Sequence, residues 1–185
     1  SAASDVYKRQ VLHLPSRRGG LLNQHKRSNI LQVLKNELDI LYAKEHEPNI
    51  VMMGDFNDTP NNSQLINILS TKANLQDVRS NDLFNPFVKM MNYDTGTIVY
   101  KKQRLIFDQM LFSKNFIKKD SFFHWKKSQI FNPNKFIFNN INTSTQPQNT
   151  FRGKNYFGGP SDHFPIISII NYNSVSYTHL TLPTT

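Results

Sequence analysis

The sequence predicts a layered α/β or α+β fold on a central sheet, and three observations carry that reading. Between about Gln24 and Glu47, apolar residues recur at Leu31, Leu34, Leu38, Leu41 and Tyr42. This is helical spacing, with one stripe for a sheet to cover. Ile50–Met53 then follows as a continuous apolar run of the kind buried on both faces of a sheet. Finally, the order strand, helix, strand, helix, then strands belongs to a sheet layered with helices. A chain of 185 residues, 38% of them apolar, is long enough for one domain with a real core.

The elements are justified in order along the chain. Val11–Leu14 is a short apolar strand, and the following PSRRGG is a turn that leaves Arg17 and Arg18 at a strand end. The helix over 24–47 stops at Pro48, and the strand Ile50–Met53 ends at Gly54-Asp55-Phe56-Asn57. Pro60, Asn61 and Asn62 open a second helix, with Leu65, Ile66, Ile68 and Leu69 as its buried face and Asn74 beyond its end. Residues 76–95 read as polar loop. Strands are expected at Thr97–Tyr100 and Leu105–Phe112, separated by a short basic turn. Residues 113–157 are rich in Lys, Asn and Phe and support only short elements, with Asn139–Asn149 as a surface loop or insertion. Gly158–Asp162 is a turn, and Phe164–Ile170 is a strand entered through Pro165, a residue suited to a strand's first position. There is no internal repeat.

Composition narrows the chemistry. With no cysteine, thiol nucleophiles, disulfides, Cys-ligated zinc and iron–sulfur centres are excluded, while the compartment stays open. The longest apolar runs, such as Ile166–Ile170, are too short to span a bilayer as a helix. The ends, SAASDVYKRQ and NSVSYTHLTLPTT, resemble translated adapter or assembly sequence, and residues 1–10 and 173–185 are set apart as tails; ordinary disordered termini are the alternative. The charge belongs to the body of the chain. The whole sequence has 22 Lys+Arg against 13 Asp+Glu, and 20 basic and 12 acidic side chains remain without residues 1–10 and 174–185.

The candidate chemistry lies at strand ends: His13, Asp55 with Asn57, and Asp162 with His163, while Asp108 interrupts an apolar run. Strand ends gather binding groups because the sheet holds them rigidly while loops vary around them. A carboxylate just after a buried strand suits a hard cation or a water to be activated. Asn57 offers an acceptor and two donors, enough to hold a phosphoryl oxygen. The plain alternative for this pair is an Asx-turn closing on local backbone. Asp162-His163 joins a second metal-binding type of group to a residue that exchanges protons near neutrality; the alternative is a turn Asp and a half-buried histidine. Asp108, inside Leu105–Phe112, needs a cationic or histidine partner if it is buried and ionised. His163 would serve, and Arg104 or another basic residue is the alternative.

Arg17, Arg18, Arg152 and Lys154 flank these clusters, and guanidinium groups can hold phosphate oxygens in bidentate fashion. Charge is also uneven. Residues 11–96 carry nine basic and nine acidic side chains, whereas 97–135 carry nine basic and two acidic. Such a stretch suits a polyanion. Phe122, Phe123, Trp125 and Phe131, interleaved with it, are either base-stacking platforms or core-edge residues.

The strings HLPSRRGG, VMMGDFND, RLIFDQMLFS and GGPSDHFPI, in this order, resemble the endonuclease/exonuclease/phosphatase superfamily, the DNase I-like fold. The resemblance covers about residues 11–172. It implies an α+β fold, a four-layer α/β-sandwich, and hydrolysis of phosphate esters with Mg²⁺ (Mn²⁺ or Ca²⁺ as substitutes). By motif, Asp55 and Asn57 would position water and phosphate, and Asp162 would join the metal–phosphate site with Asp55. His163 would contact the scissile phosphate, Asp108 would orient His163, and His13 would be a phosphate contact or proton-transfer group. Arg17, Arg18 and Arg152 would hold substrate phosphate.

The family pattern also has an early strand with an Asn and a later metal-binding Glu, which this sequence lacks before Val11. The expectation is therefore that only the C-terminal portion of the domain is present, over residues 11–172. The expected activity of the complete protein is metal-dependent phosphodiester hydrolysis of the endonuclease type, on nucleic acid or another phosphate ester. A phosphomonoesterase, a phospholipid phosphodiesterase and a non-catalytic polyanion-binding fragment are the rivals. A bacterial protein is expected, with secreted, periplasmic and cytoplasmic locations all open.

Overall fold

The computed structural model describes residues 8–133, 137–140 and 143–173. The central sheet has five strands in the order β1 (Lys8–His13), β2 (Ile50–Asp55), β7 (Asp108–Ser113), β4 (Leu83–Phe84) and β3 (Thr71–Lys72). Strand β1 (Lys8–His13) runs parallel to β2 (Ile50–Asp55), joined to it through helix α1 (Gly20–Lys44). A parallel pair needs a long crossover of this kind. Helix α2 (Ser63–Ile68) is capped by the Asn62 side chain, which accepts from the Gln64 N–H at 2.8 Å. After it come β3 (Thr71–Lys72), β4 (Leu83–Phe84), a single helical turn α3 (Phe87–Met90), and the hairpin β5 (Ile98–Tyr100) and β6 (Gln103–Leu105). Strand β7 (Asp108–Ser113) pairs antiparallel with both β2 and β4, while β3 and β4 pair parallel, so the sheet is mixed.

The remaining strands form ribbons. β8 (Phe123–Ile130) pairs antiparallel with the last strand, and two short hairpins lie between them. These are β9 (Ile137–Asn140) with β10 (Thr143–Pro147), and β11 (Phe151–Arg152) with β12 (Asn155–Tyr156). The last strand is β13 (Ile166–Tyr172).

Alternation along β2 divides the core. Ile50 and Met52 face one side, where Leu31 and Leu38 of α1 pack with Leu65, Leu69, Phe56, Leu14, Leu83 and Leu111. Val51 and Met53 face the other, against Val78, Phe84, Phe112, Phe116 and the inward side of the β8–β13 ribbon. The sheet is thus covered by helices on one face and by a second sheet on the other. Each fully buried Leu or Phe in these layers contributes about 1.5–3 kcal/mol by leaving water.

Several expected boundaries move. β1 starts at Lys8 rather than Val11, because hydrogen bonding to β2 continues back to Lys8↔Ile50; pairing, not apolar content, sets where an edge strand begins. The polar stretch 76–95 holds β4 and α3. The Asn-rich stretch 139–149 carries β10 and the end of β9. The expected strand Leu105–Phe112 is divided, with Leu105 closing β6 and Asp108 opening β7. Asp108 therefore does not interrupt a strand; it begins one. Phe123 and Trp125 pack at the edge of the second core, so the core-edge alternative holds for these two aromatics. Residues 1–7 and 174–185 lie outside the described residues.

Candidate active site

The site lies at the end of the central sheet where β1 and β2 finish and β7 starts. Parallel pairing sets His13 beside Asp55, and antiparallel pairing sets Asp55 beside Asp108. Three side chains far apart in sequence are thereby fixed in one row by backbone hydrogen bonds. Gly54 permits the close approach: a Cβ there would stand 2.0 Å from the Leu12 carbonyl oxygen, and its φ is +137°. Asp55 ends the strand, and its Oδ1 accepts from the Asn57 N–H at 2.7 Å while Oδ2 accepts from Asn57 Nδ2 at 3.0 Å. Asn57 also donates to the Leu14 carbonyl at 2.8 Å. It takes φ 49°, a left-handed conformation that Asn tolerates. The Asx-turn read as a plain alternative is present, and it holds Asp55 in place.

His163 arrives from the other side. It forms a bridge to Ile98 of β5, and the Phe164 N–H donates to the Thr97 carbonyl at 2.7 Å. Its Nδ1 stands 2.6 Å from Asp108 Oδ2. Of the partners expected for Asp108, His163 is the one it takes. Arg104 instead pairs with Asp94 at 3.3 Å. The buried Thr97 hydroxyl accepts from the Phe107 and Asp108 N–H groups, which fixes the start of β7. With Nδ1 held by Asp108, the Nε2 edge of His163 is the one left for a ligand.

Charge follows from this packing. Burial is the largest influence on Asp55 and pushes its carboxyl upward; the Asn57 N–H opposes this, Asp108 adds to it, and His163 and His13 oppose it. The net shift is upward. For His163, burial pulls downward, but the hydrogen bond and charge of Asp108, with Asp55 and Asp162 behind it, outweigh that and raise the imidazole. Two carboxylates across one strand pair therefore share a site with one well-anchored imidazole.

The other expected residues are placed less tightly. His13 Nε2 lies 3.7 Å from Asp55 Oδ2, beyond hydrogen-bond reach, with its side chain 79% exposed. Asp162 is exposed next to His163. Arg18 is exposed on the turn before α1, and the Arg152 side chain lies outside the described residues. Arg17 is not a free phosphate clamp: it pairs with Asp58 and lies 4.9 Å over the Phe107 ring.

Asp58 is the residue that sequence reading missed. Its carboxylate is 7% exposed and holds Arg17 together with the buried Arg27, the latter at 3.3 Å. Its carbonyl accepts from Gln109 at 2.8 Å, and Gln109 in turn accepts from Asn85. A signal existed: Arg27 sits four residues before Leu31 on the apolar stripe of α1, and a charge on a buried face requires a partner.

No group of three His, Asp or Glu side chains suited to a metal ion occurs among the described residues. The chemistry of the donors still fits a hard cation. Asp55 and Asp108 stand opposite each other across one strand pair, and Mg²⁺ commonly uses one or two carboxylates with water and phosphate completing its shell.

Comparison with known proteins places the chain. No curated protein matches it. Among solved structures, the mannosyl-6-phosphatase of Bacteroides thetaiotaomicron VPI-5482 aligns with TM-score 0.47 and 15% identity, covering 80% of this chain and 46% of that one. An endonuclease/exonuclease/phosphatase family protein from Bacteroides thetaiotaomicron gives 0.46 and 15%, with 79% and 46% covered. A conserved protein of unknown function from Enterococcus faecalis V583 gives 0.46 and 13%, with 92% and 52% covered. The chain thus spans about half the length of these structures.

The sequence pattern of the Endonuclease/Exonuclease/phosphatase family matches residues 3–172. This overturns the expectation that only the C-terminal portion of the DNase I-like domain is present: the family pattern runs along nearly the whole chain, as an α+β fold with mixed sheets. The physical reason is visible at β1, whose pairing with β2 reaches back to Lys8. Lys8, Arg9 and Gln10, which precede Val11, are part of the sheet that carries the site. The chain belongs to the endonuclease/exonuclease/phosphatase family.

Proposed function

We propose that this chain carries the reacting centre of a divalent-metal-dependent phosphodiester hydrolase of the endonuclease type, in which an activated water attacks phosphorus in line. The observation that supports this most directly is the 2.6 Å contact between His163 Nδ1 and Asp108 Oδ2, one strand away from Asp55. Asp55, locked by Asn57, aligns the attacking water. Asp108 fixes the His163 tautomer and favours its imidazolium, so that Nε2–H can donate to a phosphoryl oxygen as charge develops there. His13, exposed beside Asp55, adds a mobile proton donor or phosphate contact. Arg18 and Arg152 are proposed as further phosphate contacts. Asp55 and Asp162 would hold Mg²⁺, Mn²⁺ or Ca²⁺, which supplies electrostatic stabilisation of the phosphoryl oxygens when bound.

Phosphodiesters are preferred over phosphomonoesters because residues 97–135 carry nine basic and two acidic side chains, more positive charge than one small phosphate requires. Among the described residues no helix is long and apolar enough to cross a membrane. Plasmid DNA, RNA and inositol phosphates, each with Mg²⁺ or EDTA, are the test substrates. EDTA-sensitive cleavage of nucleic acid is expected, and it is abolished by His163→Ala. Cleavage confined to inositol phosphates would replace the nuclease assignment with a phosphatase one, and unchanged turnover in the variant would overturn the site.

A further inference from the structure

A cleft of about 540 Å³ has Asp58, the neighbour of Asn57 in sequence, in its lining. Gly20 and Gln24 of the first turns of α1 line one side with Arg27 below, and Tyr100 and Lys101 of the β5–β6 hairpin line another, with Arg17 between. The cleft is tied to the centre by chain connectivity. Arg17 stacks on Phe107, which precedes Asp108, and Asp58, which also lines it, follows Asn57.

Three independent features give this cleft the chemistry of an anion site. First, α1 is 25 residues long, and its N-terminus has neither a side-chain cap nor an acidic residue in its first turn. That end carries the positive pole of the helix, although the Gly20 N–H itself donates to the Arg17 carbonyl. Second, Arg27 is 5% exposed, and its Nε, also buried, has no hydrogen-bond partner among the described residues. Its two terminal nitrogens are already used by Pro15 and Asp58. A buried guanidinium N–H without an acceptor is costly unless a ligand supplies one. Third, Arg17, Arg27 and Lys101 face a single carboxylate, Asp58, so the lining has surplus positive charge.

The hairpin adds a directional element. Lys101 and Lys102 form its two-residue turn and take φ 48° and 65°. Such turns favour Asn and Gly, and two lysines in left-handed conformation carry backbone strain. The turn splits its charges: Lys101 lines this cleft, with its Nζ 5.6 Å over the Tyr100 ring, whereas Lys102 lines a different one.

We propose that this cleft binds a neighbouring phosphate of a phosphodiester chain, one linkage away from the phosphate being hydrolysed. The inference rests on the phosphodiesterase reading and deepens it, because it makes a polyphosphodiester, rather than an isolated phosphate ester, the preferred substrate. Lys101 and the α1 N-terminus supply charge and donors to that second phosphate, and Tyr100 offers a ring to the sugar or base between.

Lys101→Gln and Lys102→Gln remove the same unit of charge from adjacent positions, so the pair tests the cleft rather than net charge. Two substrates are compared with each protein: bis(p-nitrophenyl) phosphate, which has one phosphodiester, and a fluorescent single-stranded oligodeoxynucleotide. In Lys101→Gln the ratio of kcat/KM for the oligonucleotide to that for the small diester should fall about 5-fold, chiefly through KM, and in Lys102→Gln by less than about 2-fold. Oligonucleotide binding in EDTA should show a salt slope lower by about one in Lys101→Gln and unchanged in Lys102→Gln. Equal effects in the two variants, or none in either, would overturn the cleft. If the unmodified protein hydrolyses neither substrate, the phosphodiesterase reading fails, and the binding slopes still decide whether the cleft takes a phosphate.

Discussion

Asp55 and Asp58 stand three residues apart on one strand exit, and their surroundings are opposite. Asp58 is enclosed by Arg17 and Arg27, and its own carbonyl anchors Gln109. Its charge is consumed by the fold. Asp55 has an amide and an Asn side chain on its oxygens, a second carboxylate across the strand pair, and an exposed histidine beyond hydrogen-bond reach. Its charge is left for something else. The contrast teaches that one turn can build both a carboxylate spent on the fold and one left open, because the left-handed step at Asn57 sends the two acids to different partners.

The comparison can be broken by exchanging those roles. Asp55→Asn should lower phosphodiester hydrolysis by about 10²–10⁴-fold. Urea denaturation should move by only about 1 kcal/mol, since the Asn oxygen keeps the bond from the Asn57 N–H and loses only the one from Asn57 Nδ2. A rate near that of the unmodified protein would show that Asp55 is only another turn residue.

Asp58→Asn should do the reverse. It leaves the Arg27 guanidinium buried without its counter-charge, a loss of about 3–5 kcal/mol in stability. Equilibrium unfolding measures it, and a midpoint unchanged from the parent would refute the structural role.

The Asp108–His163 pair sharpens the contrast through pH. The His163 imidazole is raised in the folded chain, so the stability it contributes is complete below the unfolded value near 6.5 and is lost as pH rises through the folded value. Asp108→Asn should lower the His163 midpoint in metal-free protein, followed by the imidazole proton resonances during titration. It should also narrow the stability gap to the parent as pH rises through the raised midpoint. A midpoint equal in both proteins would remove Asp108 as the orienting group.

The smallest effect is expected at the Lys118–Glu47 pair. It lies partly exposed, away from this strand end, and its carboxyl is lowered chiefly by the hydrogen bond from Lys118. Lys118→Gln should change stability by less than about 1 kcal/mol and leave hydrolysis unaffected.

Much of this arrangement was legible before any coordinates. The stripe Leu31, Leu34, Leu38, Leu41 and Tyr42 predicts α1 because helical burial leaves a period that few other arrangements imitate. The run Ile50–Met53 predicts β2 because both of its faces are covered. Asn62 announces the start of α2 as a cap. The ribbons after Ser113 were illegible, since two-stranded pairs with one exposed face show neither continuous burial nor regular alternation. The division of Leu105–Phe112 was hidden as well. Ile106 and Phe107 are buried without belonging to a strand, and hydrophobicity does not distinguish a buried linker from a buried strand.

For the candidate site, the sequence by itself proposed the cast: His13, Asp55, Asn57, Asp108, Asp162 and His163 are named by residue chemistry at turns and strand ends, and by resemblance to a family that the chain proves to match from residue 3 to 172. Only the tertiary structure decided the partners. It gave Asp108 to His163 instead of Arg104, gave Arg17 to Asp58 instead of leaving it free, and left Arg27 buried with one N–H unspent. The physical reason is range. Burial period and capping act over a few neighbouring residues and are written locally, whereas a charge finds its partner through strand register, which joins positions about fifty residues apart and exists only once the sheet has formed.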